Sequence, residues 1–215
     1  MPLLDVSMPL GPGTPSYPGD TPFSRNEQRS LGDGDDLTLS KLSMSAHGGT
    51  HVDAPSHFVT QGATVSDLAV DAFSGPALLL DLRGVSHAVG KHHLHPHPIG
   101  SGDILLLKTR NSQRWKRGRF FEDYIYLSDE GAQYLEETKV KAVGIDSLSI
   151  EGFRVERFPV HHRLLNQGIG IIEGLDLSSA KPGRYWFDCF PLRVVGGDGA
   201  PARAVLWEEA PPKAF

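Results

Sequence analysis

Cysteine is almost absent from this chain: Cys189 stands alone among 215 residues. A single thiol cannot build an internal disulfide framework, so packing and hydrogen bonding must hold the fold. Long apolar runs are missing too. None approaches the roughly 18 to 20 residues that a membrane-spanning helix needs, so no membrane partner is expected. Basic residues are not in excess, because 21 Lys and Arg face 26 Asp and Glu, giving a formal charge of -5 and a pI near 6.0. No basic field favours nucleic acid, and a small molecule is the expected partner. The opening MPLLDVSMPLGPGTP carries neither a basic leader nor a long apolar core, which makes a cytoplasmic protein the expectation. Residues 1–215 are expected to form one domain with a sizeable core.

Histidine, by contrast, is plentiful and unevenly spread. His47-Gly-Gly-Thr-His51-Val-Asp53-Ala-Pro55-Ser-His57 puts three imidazoles and a carboxylate into eleven residues. Gly48, Gly49 and Pro55 disfavour a helix, so residues 47–53 are predicted to be extended, with His47, His51 and Asp53 on one face. Two neutral imidazoles and a carboxylate suit Zn²⁺, Mn²⁺ or Fe²⁺, whereas Ca²⁺ or Mg²⁺ favours an all-oxygen set. Pro55 ends the strand and re-aims the chain, which leaves His57 free to stand beside a metal as a proton carrier. One such histidine alone is more often a hydrogen-bonded structural residue. The whole set is hard to justify by packing.

Elsewhere the pattern is that of an α/β protein. Residues 3–8 form a short strand candidate, followed by a proline-rich loop over 9–22 that carries Tyr17, either as a wall for a planar substrate or as a ring packed on the surface. Residues 35–45 alternate with a parity shift near Ser40 and Lys41, which predicts a bulge there. Residues 65–73 read as a short helix or turn with Ser66 as its cap. Continuous apolar runs at 77–82 and 103–109 predict buried strands. A helix over 128–138, with Ser128 as cap and Ala132 and Leu135 facing inward, leads into a strand over 139–146, a strand–helix–strand unit. Asp146, at its end, is either a functional carboxylate or a cap. Residues 87–97 hold five of the ten histidines, but lack a carboxylate and are interrupted by Pro96, which predicts an exposed loop. Residues 111–119 are read as a solvated loop or lid, and Cys189 as inert packing.

A second polar cluster lies further on. A helical turn after Pro159 carries His161 and ends at Gly168, and the strand that follows carries Glu173 among Ile169, Ile171, Ile172 and Leu175. An ionised carboxylate in such surroundings costs several kcal/mol unless it is paired or metal-bound. A salt bridge to Arg163 or Arg193 is one account. The other brings His161 and Glu173 to the centre of His47, His51 and Asp53, giving five ligands, enough for two ions.

HGGTHVDAPSHF closely resembles the HxGTHxDxPxH signature of the metal-dependent cyclase-like hydrolases, the family that includes bacterial kynurenine formamidase and isatin hydrolase. The likeness extends to PSYPGDTPF, KAVGIDSLSIE, HHRLLNQGIGIIEGL and PLRVVGGDGAPARAV. It implies a mixed barrel-like sheet with flanking helices, of the swivelling β/β/α type, and a homo-oligomer, dimer or tetramer. It also implies two divalent ions, zinc or manganese, on His47, His51, Asp53, His161 and Glu173. Asp53 and Glu173 are the implied bridges, His57 the general acid/base and Tyr17 a substrate contact. Tyr17 replaces the tryptophan usual in the formamidases, and Asp146-Ser-Leu-Ser stands where they often have a proline.

The expected activity is hydrolysis of a small amide, in which water acidified by the metal attacks the carbonyl and His57 passes the proton to the leaving nitrogen. N-formyl-L-kynurenine, cleaved to L-kynurenine and formate in tryptophan catabolism, leads. Isatin or another cyclic amide or lactone is the alternative substrate. A metal-binding protein without turnover is the alternative from another class, and His57, surplus to ligand needs, argues against it.

Overall fold

The apolar runs of the sequence lie side by side in the structure, a computed structural model in which residues 3–208 are described. In chain order the strands are β1 (Leu3–Asp5), β2 (Ser24–Arg29), β3 (Leu39–Ser43), β4 (His51–Asp53), β5 (Ser74–Asp81) and β6 (Ala88–Val89), then β7 (Ile104–Lys108), β8 (Tyr126–Leu127), β9 (Ala142–Ile145), β10 (Gly170–Glu173), β11 (Gly183–Pro191) and β12 (Gly199–Trp207). Three helices accompany them: α1 (Lys91–Leu94), α2 (Asp129–Thr138) and α3 (Pro159–Asn166). Among the described residues no helix is long and apolar enough to cross a membrane.

The main sheet runs β1-β12-β11-β5-β7-β9-β10-β4, and β4 also pairs with β12. Seven strands therefore close into a barrel, and the three residues of β4 are the closing staple. Asp53 pairs with Ile171 of β10 on one side and with Gly199 of β12 on the other. β5, β7, β9 and β10 are mutually parallel, and β11, β12 and β4 complete the ring antiparallel. This mixed sheet with flanking helices is the predicted α/β architecture.

Alternation along the parallel strands divides the core in two. Ala77, Leu79, Ile104, Leu106, Ala142 and Ile172 pack inside the barrel against Phe187, Val52 and Leu206. Leu78, Leu80, Leu105, Leu107, Val143, Ile145 and Ile171 point outward beneath the helices, against Ala132, Leu135, Val160 and Leu164. Burial on both faces explains why these strands read as continuous apolar runs. The ordering of the ring has a further consequence: His51, Asp53 and Glu173 share the outward parity, on the side where α3 lies.

Several local expectations change. Only β4 is extended within 47–53; the residues before it turn, with Gly49 at φ +65°. The bulge falls on the other strand of the exposed β2–β3 ribbon, between Glu27 and Arg29. The cap of the short 3₁₀ turn at Val65–Asp67 is Thr64, whose hydroxyl and backbone N–H both meet Asp67, and not Ser66. Part of the 87–97 segment is helical, because Leu94 is buried and anchors α1. The 111–119 stretch is no solvated loop but a 3₁₀ helix, Arg110–Arg117, rooted by buried Asn111 and Ser112. Asp146 does not cap the turn that follows it: it accepts from the N–H and hydroxyl of both Thr109 and Ser112, at the start of the distant 3₁₀ helix, at 2.6 to 3.0 Å. Cys189 is buried, and burial pushes its thiol pKa up, as inert packing requires.

Candidate metal centre

The site gathers where β4, the end of β10 and α3 meet. Antiparallel pairing sets Glu173 directly opposite His51. Gly174 follows with φ +67°, and its backbone passes so close to Gly49 that a Cβ would stand 2.0 Å from the Gly49 carbonyl oxygen. Only glycine lets the two ligand-bearing segments approach in this way.

Helix α3 delivers His161 from above. Arg157 and Phe158 lead into it with positive φ, at 65° and 45°, conformations that cost non-glycine residues energy and collect at functional sites. The helix has no side-chain cap from its own N-cap residue. Instead the Glu151 carboxylate accepts from Val160 N–H at 3.0 Å and His161 N–H at 3.3 Å, and the same oxygen lies 3.2 Å from His161 Nδ1. One buried acid therefore caps the helix and fixes the imidazole, leaving Nε2 to face the site.

Around the centre, His51 Nε2 lies 3.2 Å from Glu173 Oε2 and 3.7 Å from Asp53 Oδ1. His161 Nε2 lies 3.3 Å from Glu173 Oε1 and 3.7 Å from Asp53 Oδ2. His47 Nδ1 is 2.9 Å from Asp53 Oδ1. Each carboxylate thus offers one oxygen toward His51 and the other toward His161. His57 stands at the edge, its ring stacked 3.9 Å from that of His47. All six residues foreseen as ligands or proton carrier come together. Arg163, the suggested partner of Glu173, pairs instead with Asp129 and Glu136.

The charge pattern is what a cation requires. His51 Nδ1 lies 2.9 Å from the Gly49 carbonyl oxygen and must donate to it, which leaves Nε2 as a bare lone pair aimed at carboxylates. His51 Nε2 and Asp53 Oδ2 are buried without a hydrogen-bond partner among the described residues. Lone pairs facing lone pairs in a dry site repel; a divalent cation between them removes the conflict. Glu173 stays ionised: burial works against its charge, but the His161 imidazole beside it outweighs burial and holds the carboxyl well below the usual range. Burial likewise opposes protonation of His47 and His161, yet Asp53 and Asp198 raise the first to about 9, and Glu151 and Glu173 raise the second to about 10. Burial pushes His57 below the ordinary imidazole value, so it is neutral at pH 7 and able to accept a proton.

Two acids went unforeseen. Asp198, from the glycine-rich turn before β12, places Oδ2 2.9 Å from His47 Nε2 and 3.6 Å from His57 Nδ1. Glu151, described above, is the other. A buried acid shortly before a proline-started helix was a usable signal for Glu151, whereas nothing local marks Asp198, which meets a residue 151 positions away.

A cavity of about 370 Å³ opens beside the centre, lined by Tyr17, Asp20, His57, Phe58 and Phe158 among others. Phe58 stacks on His161 at 4.3 Å. The Tyr17 ring meets Phe120 and Phe153 edge-on at 5.2 and 6.0 Å, so it is held in place from behind.

Known proteins resemble this chain in sequence and fold. The model of the putative cyclase family matches residues 4–152. A kynurenine formamidase from Bacillus cereus is 34% identical over 203 residues, 94% of this chain and 96% of that protein. Among solved structures, a potential metal-dependent hydrolase with cyclase activity superposes with a TM-score of 0.87 at 34% identity, covering 98% of this chain and 99% of that one. Isatin hydrolase A from Ralstonia solanacearum, 20% identical with a TM-score of 0.83 over 95% of this chain and 91% of that one, shares the fold. A family match over more than half of the sequence, and a relative aligned almost from end to end, lead to one conclusion: this chain belongs to the putative cyclase family.

Proposed function

We propose that this protein is a metal-dependent arylformamidase that hydrolyses N-formyl-L-kynurenine to L-kynurenine and formate. The observation that carries the metal is the pair of buried atoms His51 Nε2 and Asp53 Oδ2, partnerless among the described residues and set among five carboxylate–imidazole contacts. The kynurenine formamidase relative supports the substrate. His47, His51, Asp53, His161 and Glu173 would hold the divalent metal, two ions of Zn²⁺ or Mn²⁺; the split of each carboxylate toward His51 and His161 favours two ions over one.

Bound ions supply Lewis acidity, which polarises the amide carbonyl and acidifies water. The protein's own part is positioning and proton transfer. His57, neutral and facing the cavity, takes the proton as water adds to the formyl carbon. It then returns that proton to the anilide nitrogen as the C–N bond breaks, so the free arylamine and formic acid leave, the acid losing its proton to solvent as formate, and His57 ends as it began. Asp198 holds His57 and His47 in register, Glu151 does so for His161, and Tyr17 with Phe58 walls the aromatic ring.

The test is hydrolysis of N-formylkynurenine by protein made without a His-tag and reloaded separately with Zn²⁺ and Mn²⁺, with bound metal counted by mass spectrometry. Turnover of about 10⁴ M⁻¹s⁻¹ or more with two ions per chain is expected. No turnover with the metals bound would overturn the substrate and turn the search to cyclic amides such as isatin.

A further inference from the structure

The cavity beside the metal centre is acidic beyond what a metal needs. Among the described residues no lysine or arginine lines it, and besides Glu173 it carries a second carboxylate, Asp20. Asp20 belongs to neither group of side chains close enough to hold a metal, which are His47, Asp53 and His57, and His51, Asp53 and Glu173.

Its placement is a property of the local sequence. Tyr17-Pro18-Gly19-Asp20 forms a tight turn closed by a hydrogen bond from Asp20 N–H to the Tyr17 carbonyl at 3.0 Å. Proline at the second position and Gly19 at φ +99° in the third are the type II arrangement, which needs glycine there. The turn spends the backbone N–H of Asp20, and Asp20 lines the same cavity as Tyr17. A ring wall and a negative charge are therefore presented together, three residues apart, on one rigid turn.

From this juxtaposition we infer that Asp20 is a specificity residue that binds a protonated primary amine on the substrate. The inference rests on the formamidase reading and deepens it. N-formylkynurenine carries both an ammonium and a carboxylate on its amino-acid arm. Among the described residues the cavity has an anion for the first and no side-chain cation for the second, so the ammonium is read and the carboxylate is not. The substrate class becomes aryl formamides bearing a primary amine, with or without an acid. Formylkynurenamine, which lacks the carboxylate, belongs to that class as fully as N-formylkynurenine does.

The experiment compares three compounds on metal-loaded enzyme: N-formylkynurenine, formylkynurenamine, and the des-amino acid that keeps the carboxylate and lacks the amine. Wild type is expected to use the first two with kcat/KM values within about threefold, and the third about tenfold or more less well, chiefly through KM, as loss of a charge-assisted hydrogen bond dictates. In Asp20→Asn the preference for the amine-bearing compounds collapses toward one, while Asp20→Glu retains most of it. A preference unchanged in Asp20→Asn overturns the inference, as does a wild type that favours the des-amino acid over formylkynurenamine. Calorimetric binding of kynurenamine separates the two readings. Asp20-dependent binding without turnover of any compound sinks the formamidase and keeps the amine site; turnover without amine preference does the reverse; neither binding nor turnover sinks both.

Discussion

His47, His51 and His57 fall within eleven residues, and five more histidines fall between positions 87 and 97. The first stretch sits on the strand that closes the barrel, where β4 is buried at all three positions and pairs on both sides with distant chain. The second lies at the surface. His87 meets the Tyr126 hydroxyl at 3.1 Å, His93 Nδ1 accepts from Gly90 N–H at 3.0 Å, and the His92 and His93 rings lie against each other. Among the described residues, both groups positioned to hold a metal lie at the first stretch and none at the second. The difference is not the number of imidazoles. Carboxylates brought in by pairing partners, and burial that denies them water, are what set the first stretch up to hold a metal.

Asp53 tests that contrast most severely, since it touches His47, His51 and His161. Asp53→Ala is expected to lose bound metal and at least about 10³-fold in kcat/KM, read by metal analysis alongside kinetics. Metal and activity retained in this variant would break the comparison outright. His57→Ala separates ligand from proton carrier within the same stretch: metal content should hold while kcat falls by about 10²- to 10⁴-fold. Full activity would remove His57 from the reaction. Glu151→Gln probes the partners one step out. It keeps the shape but weakens the hold on His161 Nδ1, and a loss of about 10- to 100-fold in metal affinity is expected in competition with a chelator.

What was legible in the sequence, and what was not, follows the same division. That His47, His51 and Asp53 lie together could be read because they are compressed into one motif, and α2 because Ser128 and its inward Ala132 and Leu135 are local signals. The parallel strands were legible as apolar runs because both of their faces are covered. Asp198 was not legible, since its contact with His47 exists only after β12 returns to pair with β4. Neither was the role of residues 110–117: their basic side chains resemble a solvated loop, and only the bonds from Thr109 and Ser112 to Asp146 reveal the buried root. The exposed ribbon strand β2, SRNEQR, carries no apolar alternation and gave no signal at all.

The protons on the site's histidines give a quieter test. In protein stripped by a chelator, His47 near 9 and His161 near 10 remain charged at pH 7 against their carboxylates. Both values lie above the unfolded 6.5, so these pairs add their full stability to the stripped protein below about pH 6.5 and lose it as pH rises through 9 to 10. Metal must displace the same protons. Uptake should release about two protons per chain at pH 7, seen by calorimetry in buffers of different ionisation enthalpy, and affinity should tighten as pH rises toward 9. Uptake without proton release would mean that His47 and His161 are not ligands.

The smallest expected effect is the sharpest control on the opening contrast. His92 and His95 are exposed, and His97 lies in the turn after α1; no carboxylate accompanies them in the group that a metal would need. His93 is left intact because its ring accepts from the Gly90 N–H and caps the helix. Replacing His92, His95 and His97 together with alanine removes three of the ten histidines and three of the five in the segment. If ligand count governed metal binding, this triple variant would lose as much metal as a change in the first stretch. Because burial and paired carboxylates govern it instead, tightly bound metal and kcat/KM should stay at wild-type values, and stability should move by no more than about 0.5 kcal/mol. What the variant should lose is the loose metal that a surface imidazole cluster picks up, seen as weaker retention on an immobilised nickel column. A drop in tightly bound metal would make the second stretch part of the centre and reverse the comparison.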